Sequence, residues 1–308
     1  MATERAELIL SPAEKQMAQP LLRWLDGEHL KGKKELVVNK PGEVGFEAFD
    51  GTWQFMPAPD MTLDSLLSIL NLLAERTGQT YSMLNPILSV KLPGGHRAQF
   101  VAGQQNARKF TLCVRLAQEH EFELSHYVMD DAERNALIEA IKGRKTILIS
   151  GGTGTGKTSF MNACLKQVQL TDRLVVLEDV PELKIPHDNT CHFLFSNTGK
   201  GGVGINDLLN ATLRLRPDRI IMGEIRKENA FTFCSAINTG HAGSMTTVHA
   251  NNPAAAVDAV INRVMLNGDT TESALNILKR QLEGDVYGVA QLTRKGSHVH
   301  AEFKPLKH

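Results

Sequence analysis

Residues 151–158 read GGTGTGKT. The pattern is glycine, four free positions, glycine, lysine and a hydroxyl residue. It lies between the apolar run KTILIS and the helical pattern KTSFMNACLKQV. A strand, a glycine-rich turn and a helix in that order build a phosphate-binding loop. Glycines let backbone N–H groups turn inward around phosphate oxygens, and the helix N-terminus adds a favourable dipole. Gly152, Thr153, Gly154, Thr155, Gly156 and Ser159 are expected around the phosphates, with Lys157 reaching the β- and γ-phosphates. The Thr158 hydroxyl is the expected direct ligand of Mg²⁺.

That loop predicts a parallel sheet, and the rest of the chain agrees. After residue 130, helical stretches alternate with short apolar runs: RLVVLED, DRIIMG and SMTTVH are the strands, and INDLLNATLRL and KENAFTFCSAIN are helices between them. Alternation of this kind gives an α/β fold with helices flanking the sheet. Two further helices, at 253–265 and 271–283, precede a hairpin turning at Lys295-Gly296. The first 120 residues read differently. An amphipathic helix at 13–26 is interrupted by Pro20, a strand pair turns at Pro41-Gly42, and a helix at 61–78 starts at Thr62 and stops at Gly78. Strands follow at 87–103 and 109–117. The expected organisation is an α+β domain over 1–120, a connector over 121–133 and an α/β domain over 134–308.

Composition narrows the function. Lys+Arg and Asp+Glu both number 34, so no global basic field suggests nucleic-acid binding. The N-terminus MATERAELIL has no apolar core of a signal peptide, and LLSILNLLA (66–74) is too short to span a bilayer. Four scattered cysteines form no C-x-x-C pair, which supports neither a zinc knuckle nor a redox motif. The one Asn-Lys, Asn39-Lys40, precedes the phosphate loop and lacks the N-K-x-D form of a guanine reader, so ATP is the expected nucleotide.

Acids fall where such a site needs them. Glu178 and Asp179 end the run LVVLED, and Glu224 follows RIIMG directly. Ligands of doubly wound sheets bind beyond the carboxyl ends of the strands, so these acids face the phosphate-loop edge. One is needed to hold Mg²⁺ through water and one to orient or deprotonate the attacking water, which makes Glu178 and Glu224 the catalytic candidates. The segment TGHAGSMTTVHANNP then places His249 at the end of the next strand, where an imidazole can hydrogen-bond a γ-phosphate. His241 and His249 lack the spacing of a metal pair.

Four segments, GGTGTGKT, LEDVPEL, LRLRPDRIIMGEIR and GHAGSMTTVHANNP, resemble in order the Walker A, Asp box, Walker B and His box of the hexameric traffic ATPases of bacterial secretion. The likeness covers about residues 145–255 and is greatest to the ring ATPases of type IV secretion and conjugation systems. The four-cysteine insertion common in type II secretion and pilus-extension relatives is missing. Type IV pilus and type II secretion ATPases stay open as alternatives, and a RecA-like nucleic-acid translocase stands behind them. The resemblance implies a RecA-like ATPase domain and a smaller N-terminal PAS-like α+β domain. It also implies a homo-hexamer, with inner-membrane secretion-channel subunits and other secretion ATPases as partners. The expected location is cytoplasmic and peripheral at the inner membrane. It assigns N-domain arginines to the nucleotide, matching Arg97 in GGHRAQFV and Arg115 in TLCVRL, with Arg108 less well matched. Arg214, Arg216, Arg219 and Arg226 also fall in the family pattern. Pairing with carboxylates is the preferred role for Arg219.

Overall fold

A computed structural model describes residues 8–82, 84–117, 122–179, 181–195, 204–268 and 271–306. The chain divides into two compact units, Met1–His120 and Glu121–His308.

The first unit opens with α1 (Pro12–Leu22), whose N-cap Ser11 and first-turn Glu14 form a reciprocal capping box. Pro20 lies inside the helix, and a short 3₁₀ turn continues to Leu25. Strands β1 (Lys33–Val38), β2 (Glu43–Ala48) and β3 (Trp53–Pro57) follow as a meander. Next come α2 (Leu63–Arg76), β4 (Ile87–Lys91), β5 (Arg97–Ala102) and β6 (Phe110–Arg115). Each strand pair is antiparallel, in the order β3-β2-β1-β6-β5-β4. Alternate residues such as Leu36, Val38, Phe100 and Leu112 pack with Leu66, Ile69 and Leu70 of α2. Leu21 and Trp24 are core residues of this unit. The edge strand β3 has no counterpart in the sequence reading, because its Trp53 and Phe55 lie exposed and give no buried alternation.

The second unit begins with α3 (Asp131–Lys142), capped by Asp130, whose Oδ1 accepts from the N–H groups of Ala132 and Glu133. The expected connector supplies Leu124 and Tyr127 to this unit's core, since both side chains are apolar enough to be buried. The following elements are β7 (Thr146–Gly151), α4 (Lys157–Leu165), β8 (Leu174–Glu178), β9 (Thr190–Leu194), α5 (Ile205–Thr212) and β10 (Arg219–Met222). Then come α6 (Ala230–Asn238), β11 (Met245–Val248), α7 (Ala254–Asn267), α8 (Glu272–Asp285), β12 (Val286–Lys295) and β13 (His298–Pro305). Strand order is β13-β12-β7-β11-β10-β8-β9, parallel except for the β12–β13 hairpin. Both faces are covered, as a parallel sheet requires. Ile147 and Ile149 point into one core with α3 and α4, and Leu148 points into the other with α6 and α7. The sequence reading lacks β9, an edge strand whose five residues are all half-buried and show no period.

Candidate active site

The loop between β7 and α4 turns because two glycines adopt the left-handed conformation, Gly154 at φ 73° and Gly156 at φ 86°. Gly156 is the N-cap of α4, so no side chain caps that helix, and its first turn holds no acidic residue. The backbone N–H groups of that turn therefore remain available to an anion, which fits a nucleotide phosphate. Thr155 braces the turn by donating its hydroxyl to the Gly152 carbonyl at 2.9 Å. Thr158 and Ser159 are half-buried in the first turn, while Gly152, Thr153 and Gly154 are exposed.

Lys157 is buried and folds back over this loop. Its Nζ donates to the carbonyls of Gly151 at 3.0 Å and Gly152 at 2.9 Å. It also lies 3.3 Å from Nδ1 of His249, just beyond the end of β11. The same imidazole places Nε2 3.0 Å from Oε1 of Glu224. An ammonium has only donors and a carboxylate only acceptors, so Nδ1 accepts and Nε2 carries the proton. Burial pushes the His249 pKa below its ordinary value, the Lys157 charge pushes it further, and Glu224 pulls in the opposite sense. The ring is thus a neutral bridge between the loop lysine and the acid after β10.

Neighbouring bonds hold that bridge in register. The Thr247 hydroxyl donates to the Gly223 carbonyl at 2.7 Å, and the Ile225 N–H donates to the Thr247 carbonyl at 2.9 Å. The acid is thereby tied to the histidine strand. At the start of α7, Asn252 Oδ1 accepts from the Ala255 N–H at 2.9 Å. Arg226 reaches Glu224 Oε2 at 3.4 Å and Asp179 at 2.8 Å. His241 instead turns to the Ala236 carbonyl, at 3.0 Å, and takes no part in this group.

Glu178 stands apart in its surroundings. It is buried, its Oε1 accepts from the N–H groups of Glu182 at 3.1 Å and Leu183 at 3.0 Å, and its Oε2 lies 2.7 Å from His192 Nε2. His192 lies on β9, the strand without a sequence signal, and its part in the site is visible only in the fold. Arg263 on α7 is a second such residue: burial lowers its pKa, and Glu224 is the acid whose charge acts against that fall.

The two N-unit arginines meet on one sheet face. Arg97 of β5 and Arg115 of β6 stand directly opposite each other, and Lys91 of β4 faces Arg97. Like charges in one cross-strand row repel, and Glu35 of β1 stands opposite Arg115 on its other side. Nothing in the sequence pattern singled out Lys91. Arg219 proves buried and paired with Asp172 at 2.6 Å, the carboxylate-pairing role preferred for it.

Residues 87–298 match the family described as Type II/IV secretion system protein. The chain is 34% identical to the type IV secretion system protein VirB11 of Bartonella quintana, over 88% of this chain and 86% of that protein. It is 32% identical to the protein VirB11 of Rhizobium radiobacter, over 79% of each. In fold it resembles the pilus retraction motor PilT, solved with bound ADP, at a TM-score of 0.65 and 17% identity, covering 97% of this chain and 84% of that one. The Legionella pneumophila ATPase DotB gives a TM-score of 0.65 at 16% identity, covering 100% and 84%. The family match begins at β4 and runs through the whole parallel sheet into the terminal hairpin, so the chain belongs to the type II/IV secretion system protein family and is one of its nucleotide-binding ATPases.

Proposed function

We propose that this chain is the ATP-hydrolysing subunit of a homo-hexameric ring that powers substrate export or pilus assembly by a type IV secretion or conjugation system. The ring works at the cytoplasmic face of the inner membrane. Among the described residues no helix is long and apolar enough to cross a membrane, so contact with the channel subunits and other ATPases of the system runs through protein partners or a peripheral surface. The observation that carries the reading is the bridge Lys157–His249–Glu224, which joins the phosphate loop to the acid beyond β10 through one neutral ring.

ATP arriving at the α4 N-terminus offers Lys157 stronger acceptors than the Gly151 and Gly152 carbonyls. The ammonium moves to the β- and γ-oxygens, and His249 Nδ1 loses its donor. Glu224 takes a proton from the attacking water as the new O–P bond forms and the bond from the γ-phosphorus to the bridging oxygen breaks, giving ADP and phosphate. Mg²⁺, when bound, would supply positive charge that offsets the phosphate charge. The Thr158 hydroxyl would hold it directly, with Glu178 and Glu224 acting through water. Arg97 and Arg115 neutralise phosphate charge from the N-terminal unit. Release of phosphate returns Lys157 to the loop and to His249, so the histidine senses the γ-phosphate and passes the change to α7 through Asn252.

The test is a pair of variants. Glu224→Gln keeps ATP affinity and loses turnover, and Lys157→Ala loses both. Equal affinity losses in the two would overturn the assignment. A single monomeric species at micromolar concentration with ATP and Mg²⁺ would overturn the ring.

A further inference from the structure

We propose that His192, on the edge strand β9, is a positioning residue for ATP hydrolysis, acting through Glu178 and Asp179 on Glu224. The inference rests on the reading of Glu178 and Glu224 as acids of the nucleotide site.

Glu178 ends β8 with its side chain only 3% exposed. A carboxylate that deep needs donors for both oxygens. Oε1 has two, the N–H groups of Glu182 and Leu183, and Oε2 has the His192 Nε2–H at 2.7 Å. The three bonds pin the turn after β8 to the sheet end at one side and to β9 at the other. The Phe195 N–H donates to the Glu178 carbonyl at 2.9 Å, which ties the end of β9 to the same residue. The carboxylate stem also runs beside the chain that leads into Glu224, where a Cβ on Gly223 would lie 3.4 Å from Glu178 Cγ.

The turn so pinned begins with Asp179, the next residue after Glu178. Its Oδ2 takes the Arg226 guanidinium at 2.8 Å, and the same guanidinium reaches Glu224 Oε2 at 3.4 Å. A continuous path therefore runs from β9 to the acid that meets His249: His192, Glu178, Asp179, Arg226, Glu224. Removal of the His192 donor leaves Oε2 buried and unpaired. The carboxylate then turns to find water, the 182–183 amides lose their acceptor, and Asp179 no longer fixes Arg226. Glu224 keeps its charge and loses its aim. Affinity for ATP depends on the phosphate loop, which this path does not touch, so the effect falls on kcat.

The experiment compares His192→Leu, His192→Gln and Glu178→Gln by steady-state ATPase kinetics and by binding of a non-hydrolysable fluorescent ATP analogue. His192→Leu lowers kcat by about tenfold or more, as loss of an outer-shell partner does, and leaves analogue affinity within about twofold. His192→Gln, whose amide can donate to Oε2, restores most of kcat, which a purely structural histidine would not require. Wild-type kcat in His192→Leu with a dead Glu178→Gln overturns the proposal and leaves the site reading standing. Wild-type kcat in Glu178→Gln overturns the underlying reading of Glu178 and the proposal with it. A parallel loss in the leucine and glutamine variants also overturns the proposal. Where His192→Leu fails to fold, His192→Asn replaces it: its amide is too short to reach Oε2, and kcat equal to that of His192→Gln counts against the idea.

Discussion

The two ends of the parallel sheet carry similar charges and treat them in opposite ways. At the end where β8 and β10 begin, Asp172 and Arg219 are completely buried, paired at 2.6 Å, and Arg144 closes on the same carboxylate at 2.5 Å. Burial tends to raise the Asp172 carboxyl pKa, and hydrogen bonds and charge from Arg219 and Arg144 overcome that and hold it below the usual range. Little space remains there: Gly243 has φ 87°, and a Cβ on it would sit 3.1 Å from both Arg219 and Arg144. At the other end, Glu224, His249 and Arg226 keep 31%, 38% and 40% of their side chains exposed, and their contacts are longer. One end is a lock whose charges must not move. The other, on the function proposed above, is a set of groups that exchange partners, which requires water access and room to turn.

The difference predicts that mutations at the two ends fail in different measurements. The largest effect belongs to the open end. Glu224→Gln lowers kcat by about 10²–10⁴-fold, the usual contribution of a positioned base, while ATP binding and melting temperature stay near wild type. A wild-type rate would move the base elsewhere. At the closed end, Asp172→Ala strands two arginines and costs about 3–5 kcal/mol of stability, read by denaturant unfolding. The fraction that stays folded keeps the KM for ATP. An unchanged unfolding midpoint would show that the lock is ornamental.

A smaller effect is expected at the bridge. His249→Ala keeps nucleotide binding and loses about 10–100-fold in turnover, as a partner that orients a catalytic group does. Full turnover would make the histidine structural. Acid sharpens the contrast further. Asp172 has a folded pKa below its unfolded value near 3.8, so its stabilisation is present above that pH and disappears as pH falls through the folded value. His249 has a folded pKa below 6.5, so the unfolded chain takes up a proton first and stability begins to fall as pH drops below 6.5. Imidazole resonances followed by NMR check this, and a His249 midpoint above 6.5 would contradict the neutral bridge. The smallest effect belongs to neither end. Lys279→Ala removes an exposed pair with Asp258 at 2.6 Å, and no change in unfolding midpoint is expected.

The phosphate loop, the helix–strand alternation and the strand-end positions of Glu178, Glu224 and His249 are all legible along the chain. Each rests on local rules: glycines for a left-handed turn, alternation for a parallel sheet, and strand ends that face one edge. Which groups touch depends instead on long-range packing. His192 reaches Glu178 because β9 pairs with β8 in one particular register, Val176 opposite His192, and no spacing in the sequence encodes a neighbour fourteen residues away. Lys91, Arg97 and Arg115 line up because three antiparallel strands share a register. Asp172 closes the far end of the sheet because Arg219 arrives there from β10 and Arg144 from the loop between α3 and β7. The bond between Lys157 and His249 spans 92 residues. Side-chain type and local period can be read along one dimension, but pair distances and burial depend on how distant strands pack, and those set the chemistry.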